Sequence, residues 1–265
     1  MEIVIVRGGG DIATGVAHRL FRAGFNILIL DIEKPTTIRR RVAFSEAIYS
    51  KEVEVEGVKA VHVKRIEDIF HEINKGNIPV YIDPKGECIQ EISPLAVIDS
   101  ILAKKNLGTN MDMAPITIGV GPGFEAGVDV DLVVETKRGH FLGKVIYEGT
   151  AIPNTSIPGN IMGHTEDRII RASAEGKVIP LVEIGDMVEK GEVVCKIGDS
   201  EVIANISGII RGMIKEGLIV TKGYKIGDID PRGDKENVIT ISEKARAVGG
   251  GVLEALMYMM NGGLD

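Results

Sequence analysis

Short apolar runs alternate with amphipathic stretches through the first 150 residues of the chain. Ile3, Val4, Ile5 and Val6 form a continuous apolar run that reads as a buried strand and breaks into Gly8, Gly9 and Gly10. Val16, Ala17, Leu20 and Phe21 then recur at helical spacing, and Gly24 stops the helix. A second apolar run, from Ile27 to Leu30, ends in Asp31. Further strand-like runs fall at 58–63, 78–82, 95–99, 115–120 and 131–136, with Ile66, Ile69, Phe70 and Ile73 as a helical stripe between the first two. The alternation predicts an α/β fold, a Rossmann-like and mostly parallel sheet.

From residue 172 the pattern changes to a repeat. Ala172, Gly176, Gly185 and Gly191 recur 32 positions later as Ala204, Gly208, Gly217 and Gly223. Val178, Val182, Val188, Val194 and Ile197 match Ile210, Ile214, Val220, Ile226 and Ile229 at the same offset. Two copies of short strands with glycine turns predict a small β-sandwich in which neither half buries its apolar face alone. Ser242 opens a last helix through Ala245, Val248, Val252, Leu256 and Met260, interrupted by Gly249, Gly250 and Gly251. The expected organisation is a Rossmann-like cofactor-binding domain over 1–150, a linker or active-site loop over 151–165, a sandwich over 166–233, and a C-terminal helix over 234–265 that packs back on the first domain.

Chemistry concentrates at the first turn. Gly8, Gly10 and Ala13 satisfy the G-x-G-x-x-G/A spacing between a strand and a helix, so the backbone can approach a pyrophosphate at the helix N-terminus. Asp31 closes the second strand, where an acid accepts hydrogen bonds from a ribose. No Lys-Ser or Lys-Thr follows the glycines, which argues against a P-loop ATPase. Arg39, Arg40 and Arg41 read either as an anion clamp or as a solvated face. Asp83, Asp99, the Gly121-Pro122-Gly123 turn and the Arg138-Gly139-His140 segment all follow apolar runs, so a parallel sheet would gather them at its carboxyl edge beside Asp31. Turn chemistry accounts for several of them singly, and their shared edge is the functional argument.

Composition narrows the classes. The chain has 265 residues and a net charge of −7, which argues against general nucleic-acid binding. No apolar run approaches the ~20 residues of a membrane span, and the first residues lack the pattern of a signal peptide. Cys88 and Cys195 stand far apart without C-x-x-C partners, which suits a reducing cytosol and a cytoplasmic protein. Cys88 is the better candidate nucleophile, although free cysteines mostly pack. His140 and His164 lack the cluster a metal needs, so no metal is expected.

Two resemblances bear on function. Gly185-Asp186-Met187-Val188-Glu189-Lys190-Gly191-Glu192-Val193 is similar to the biotinyl/lipoyl barrel-sandwich hybrid. That family carries its lysine on a hairpin beside a methionine, whereas here Lys196 stands alone. Along nearly the whole chain, runs such as Arg7-Gly8-Gly9-Gly10-Asp11-Ile12-Ala13-Thr14-Gly15, Ile118-Gly119-Val120-Gly121-Pro122-Gly123-Phe124, Pro153-Asn154-Thr155 and Gly227-Asp228-Ile229-Asp230-Pro231-Arg232-Gly233 resemble the accessory proteins of the selenium-dependent molybdenum hydroxylase system, the YqeB-type proteins.

The resemblance implies an accessory protein for maturation of a selenium-dependent molybdenum hydroxylase, partnered by that enzyme or its maturation machinery. The ligand it implies is phosphorylated: a dinucleotide or nucleotide (NAD-type) or a molybdopterin-type cofactor. Gly8, Gly10 and Asp11 would hold phosphate, Arg39 and Arg40 would clamp anionic groups, and Arg138 with His140 would stand at the reacting end. Asp31, Asp99, Gly121 and Gly123 would complete the binding edge, and the sandwich would dock on the target enzyme. The alternative is an NAD(P)-dependent oxidoreductase with Asp31 selecting NAD and His140 as acid or base. A homo-oligomer is compatible with either reading, and nucleic-acid and membrane partners with neither.

Overall fold

The computed structural model describes residues 1–154 and 158–263; Thr155, in the Pro153-Asn154-Thr155 run and the 151–165 linker, lies outside them. The chain divides into two compact units. The first comprises Met1–Pro35, Ala43–Asn154 and Ile241–Asp265, and the second Thr36–Val42 and Thr155–Thr240.

In the first unit, β1 (Ile3–Arg7) leads through the glycine turn into α1 (Asp11–Arg22), and β2 (Asn26–Asp31) follows. A short helix α2 (Ala47–Ser50) precedes a hairpin of β3 (Glu52–Val55) and β4 (Val58–Val63). Then come α3 (Ile66–Asn74), β5 (Ile78–Ile82), α4 (Ile89–Ile92), β6 (Ala96–Asp99) and β7 (Ile116–Val120). Strands β8 (Glu125–Ala126), β9 (Leu132–Val134), β10 (Val145–Ile146) and β11 (Gly149–Thr150) complete this part. The main sheet has nine strands in the order β10-β9-β7-β6-β1-β2-β5-β4-β3, while β8 and β11 pair separately. Seven of the nine run parallel; β3 and β10 add antiparallel edges.

The second unit holds β12 (Ile169–Arg171), β13 (Gly176–Pro180), β14 (Met187–Val188), β15 (Val193–Ile197) and β16 (Ser200–Ile203). It continues with β17 (Gly208–Met213), β18 (Ile219–Val220), β19 (Lys225–Asp230) and α5 (Glu236–Ile239). The 32-residue repeat is present in the strands, since β13, β14 and β15 begin 32 positions before β17, β18 and β19. Each copy lends its short strand to the other, β14 to β17 and β18 to β13. That exchange merges the two apolar faces into one core containing Val178, Val194, Ile210 and Ile226. Within this unit Ile38 lies against β17: its carbonyl accepts the Met213 N–H at 2.9 Å, and a Cβ on Gly212 would meet its side chain at 2.7 Å.

The expected fold class, a Rossmann-like mostly parallel sheet with an appended barrel-sandwich, is corrected by this topology. A Rossmann sheet would place the third parallel strand, β4, beside β2; here β5 occupies that slot and β4 lies outside it. The reason is local. β4 enters through a tight hairpin with β3, in place of a helical crossover from β2, so the position next to β2 is left for the later strand. Antiparallel edges make the sheet mixed. The second unit forms two four-stranded antiparallel sheets, β12-β19-β17-β14 and β16-β15-β13-β18, with β12 and β16 added outside the repeat.

Helix α6 (Glu243–Met260) packs on α1 in the first unit. A Cβ on Gly15 would sit 2.6 Å from the Ala245 Cβ, and one on Gly249 would sit 2.7 Å from the Gly15 carbonyl oxygen and 3.2 Å from the Arg19 Cβ. Gly15 of α1 and Gly249 of α6 therefore permit a helix–helix approach that a side chain at either position would block. Residues 245 and 249 of α6 track residues 15 and 19 of α1, so the two helices run in the same direction. The β3–β4 turn fastens them: Glu56 Oε1 accepts the Ile241 N–H and Arg246, while its carbonyl accepts Arg22.

Candidate functional site

The seven parallel strands bring their carboxyl ends to one edge of the first unit. Arg7, Asp31, Asp83, Asp99, Gly121 and Glu135 stand at or just beyond those ends. Chain direction across the sheet reverses between β1, which continues toward β2, and β6, which begins the other half. At that switch point Arg7 is in register with Asp99.

The glycine turn is closed by its own chain. Gly8 has φ +93°, and a Cβ there would meet the Ser100 carbonyl oxygen and the Ile101 Cα at 3.0 Å. The Gly9 N–H donates to Asp31 Oδ2 at 2.7 Å, and Asp31 Oδ1 accepts the Ile32 N–H at 2.7 Å. Burial pushes the Asp31 carboxyl above its ordinary value, opposed by those two N–H donors. The Gly9 carbonyl accepts the Ser45 N–H at 2.9 Å, and the Thr14 hydroxyl accepts the Phe44 N–H at 2.8 Å. Gly10 is the N-cap of α1 and offers no side-chain cap, and Asp11 is the first helical residue. Both are partly exposed, in contrast to buried Gly8 and Gly9.

Other strand ends are internally satisfied. Buried Arg7 donates to the Thr109 hydroxyl and to the Pro84 carbonyl, and lies 3.8 Å from Asp99. Asp99 accepts the Thr109 hydroxyl at 2.6 Å and the Ile101 N–H at 3.1 Å. Gly121 and Gly123, at φ +83° and +116°, lie against Thr136 and the Lys105 backbone. Beyond β5, Asp83 accepts the Gly86 and Cys88 N–H groups and flanks a cavity of about 400 Å³ lined also by Tyr81, Lys85, Glu87 and Glu91. Burial, with the Asp83 carboxylate beside it, pushes the Cys88 thiol up to about 12, which leaves it protonated and poorly nucleophilic.

The segment after β9 meets the start of α6. Arg138 pairs with Glu243, while His140 is exposed and packs edge-on against Phe141. Buried Glu135 accepts the Thr136, Lys137 and Ile152 N–H groups. Lys244, which no sequence motif marks, is partly buried in the first turn of α6. Burial lowers its pKa first and the Arg138 charge second, against the attraction of Asp11 and Glu135. Among the described residues it has no hydrogen bond or ion pair within 4 Å.

The expected site residues thus fall in two groups. Gly8, Gly10, Asp11, Asp31, Asp99, Gly121, Gly123, Arg138 and His140 belong to the first unit. Arg39 and Arg40 belong to the second, where Arg39 donates to the Asn237 and Thr240 carbonyls and Arg40 to the Met213 carbonyl. The second unit also buries Asp230, held below the usual carboxylate range, against the pull of its own burial, by a bidentate Arg232. Among the described residues, no group of three or more His, Cys, Asp or Glu side chains could hold a metal ion, and no helix is long and apolar enough to cross a membrane.

No family model matches the chain. Among solved structures, the product-bound ectoine utilization protein EutE (DoeB) from Ruegeria pomeroyi aligns over 86% of this chain and 57% of its own, at 9% identity and a TM-score of 0.23. A succinylglutamate desuccinylase/aspartoacylase from Rhodobacter sphaeroides aligns over 86% and 85%, at 17% identity and a TM-score of 0.27. Superpositions that weak carry no argument. In sequence, the chain is 51% identical over 263 residues, 99% of its length, to YqeB of Escherichia coli (strain K12), a protein described as uncharacterized. The chain spans about half, 49%, of that protein's length.

Proposed function

We propose that this chain is an accessory protein in the maturation of a selenium-dependent molybdenum hydroxylase, and that its first unit binds a phosphorylated or nucleotide-type cofactor. The observation that carries the binding part is the first turn of α1. It opens at the carboxyl edge of a parallel sheet, behind an N-cap glycine that brings no side chain to its N–H groups. Such a turn favours an anion through both its N–H donors and the helix dipole. The pathway rests on the resemblance to YqeB-type proteins, which implies a molybdopterin-type cofactor as the ligand. The NAD(P)-dependent reading is weaker, because both Asp31 oxygens already accept backbone N–H groups and the Gly9 N–H is one of them.

The test is thermal stabilisation of the wild-type protein by NAD, NADP, nucleoside phosphates and molybdopterin, with Gly10→Val as control. Gly10 has φ −67°, so the backbone accepts a side chain there. A phosphorylated ligand other than NAD or NADP is expected to raise the melting temperature, and Gly10→Val to abolish the rise. Stabilisation by NAD alone would restore the oxidoreductase, and stabilisation by nothing would remove the cofactor site.

A further inference from the structure

We infer that Lys244, in the first turn of α6, balances the negative charge of the bound ligand, and that the ligand presents a phosphate or pyrophosphate to the neighbouring first turn of α1. The inference rests on the cofactor-site reading above and deepens it.

Helix direction supplies the geometry. Because Ala245 lies against Gly15 and Gly249 against Arg19, α1 and α6 begin side by side. Parallel helices bring two positive dipole ends together, a costly arrangement that an anion between them relieves. Lys244 adds a full cation at that place, within electrostatic reach of Asp11 on α1 and of Glu135 and Arg138 beyond β9. These neighbours are engaged elsewhere: Glu135 accepts three backbone N–H groups, and Arg138 pairs with Glu243 on α6 itself. Lys244 alone of this group has no hydrogen bond or ion pair among the described residues. A partly buried ammonium in that state is poorly solvated and gains most from an incoming oxyanion.

A second observation stands at the turn leading into α1. The Ser100 hydroxyl is buried, at 3% residue exposure, with no hydrogen-bond partner. Its backbone borders Gly8, and its N–H donates to the Arg7 carbonyl at the switch point. Buried hydroxyls are nearly always paired, so an orphan beside a glycine turn marks a place where a further acceptor belongs. A phosphate oxygen is such an acceptor.

Lysine footprinting tests this directly. The intact protein is pulsed with acetic anhydride with and without millimolar inorganic pyrophosphate, and each lysine is read by mass spectrometry. Pyrophosphate is expected to slow acetylation of Lys244 at least fivefold and to leave Lys177 and Lys190 of the second unit unchanged. Calorimetry of Lys244→Met should show at least tenfold weaker pyrophosphate binding, largely restored in Lys244→Arg. If wild type binds pyrophosphate yet Lys244 is unprotected or Lys244→Met binds normally, the assignment to Lys244 fails and the cofactor site stands. If neither pyrophosphate nor any phosphorylated ligand binds wild type, both fall.

Discussion

Arg39 and Arg40 in the second unit and Lys244 in the first are all basic side chains drawn partly or wholly out of water, and they differ in what they touch. The arginines donate to carbonyls of residues 213, 237 and 240, which ties the 36–42 segment into the fold of its own unit. Lys244 touches no acceptor among the described residues and stands instead where two helices begin. Two members of an arginine run that reads as a ligand clamp in sequence donate to backbone carbonyls of their own unit, whereas Lys244, which no motif marks, has no such acceptor among the described residues. Fixed donors on a planar guanidinium suit the first use, and a single mobile ammonium suits the second.

The contrast breaks most visibly at Asp230, fully buried in the second unit beneath Arg232 and Arg211. Burial, and then the nearby Arg39 charge, lower Arg211 to about 10, so it depends on its acidic neighbours. Asp230→Ala should destabilise the protein by about 3–5 kcal/mol in urea titrations, because the arginines are left uncompensated. Gly249→Ala is expected to cost about 1–3 kcal/mol in the same titration by forcing α6 away from α1, and it should weaken pyrophosphate binding because the two first turns move apart. Asp31→Asn should cost about 1–3 kcal/mol as well, since an amide offers one oxygen to the two N–H groups the carboxylate now accepts.

A smaller effect follows from Cys88. Its thiol titrates near pH 12 in the folded state, above the ordinary value of 9.0. Between those values the unfolded chain loses the proton while the folded chain keeps it, so this contribution to stability is intact below pH 9 and declines as pH rises toward 12. Native protein at pH 8 should therefore resist iodoacetamide at Cys88 and react once unfolded; rapid native alkylation would contradict the burial described here.

Local pattern made a good part of this legible. The strand, three glycines, helix, strand and Asp31 follow one another as the apolar periods indicate, and the 32-residue repeat reappears in the bounds of β13–β15 and β17–β19. Strand order was hidden, because the insertion of β5 between β2 and β4 depends on pairing between residues far apart in the chain. So was the closing of the glycine turn by Phe44 and Ser45, which again depends on contacts between residues far apart in the chain. Lys244 had a single faint signal, its position two residues after the Ser242 cap. Its significance arises only from α6 lying parallel to α1, an arrangement set by Gly15 and Gly249.

The most direct measurement is calorimetric titration of pyrophosphate into wild type, Lys244→Met and Arg40→Met, with the stability of each determined in parallel. The expected result is that Lys244→Met loses binding and stays within ~0.5 kcal/mol of wild-type stability, while Arg40→Met keeps binding and loses stability. Binding that survives Lys244→Met and disappears in a folded Arg40→Met protein would contradict the account.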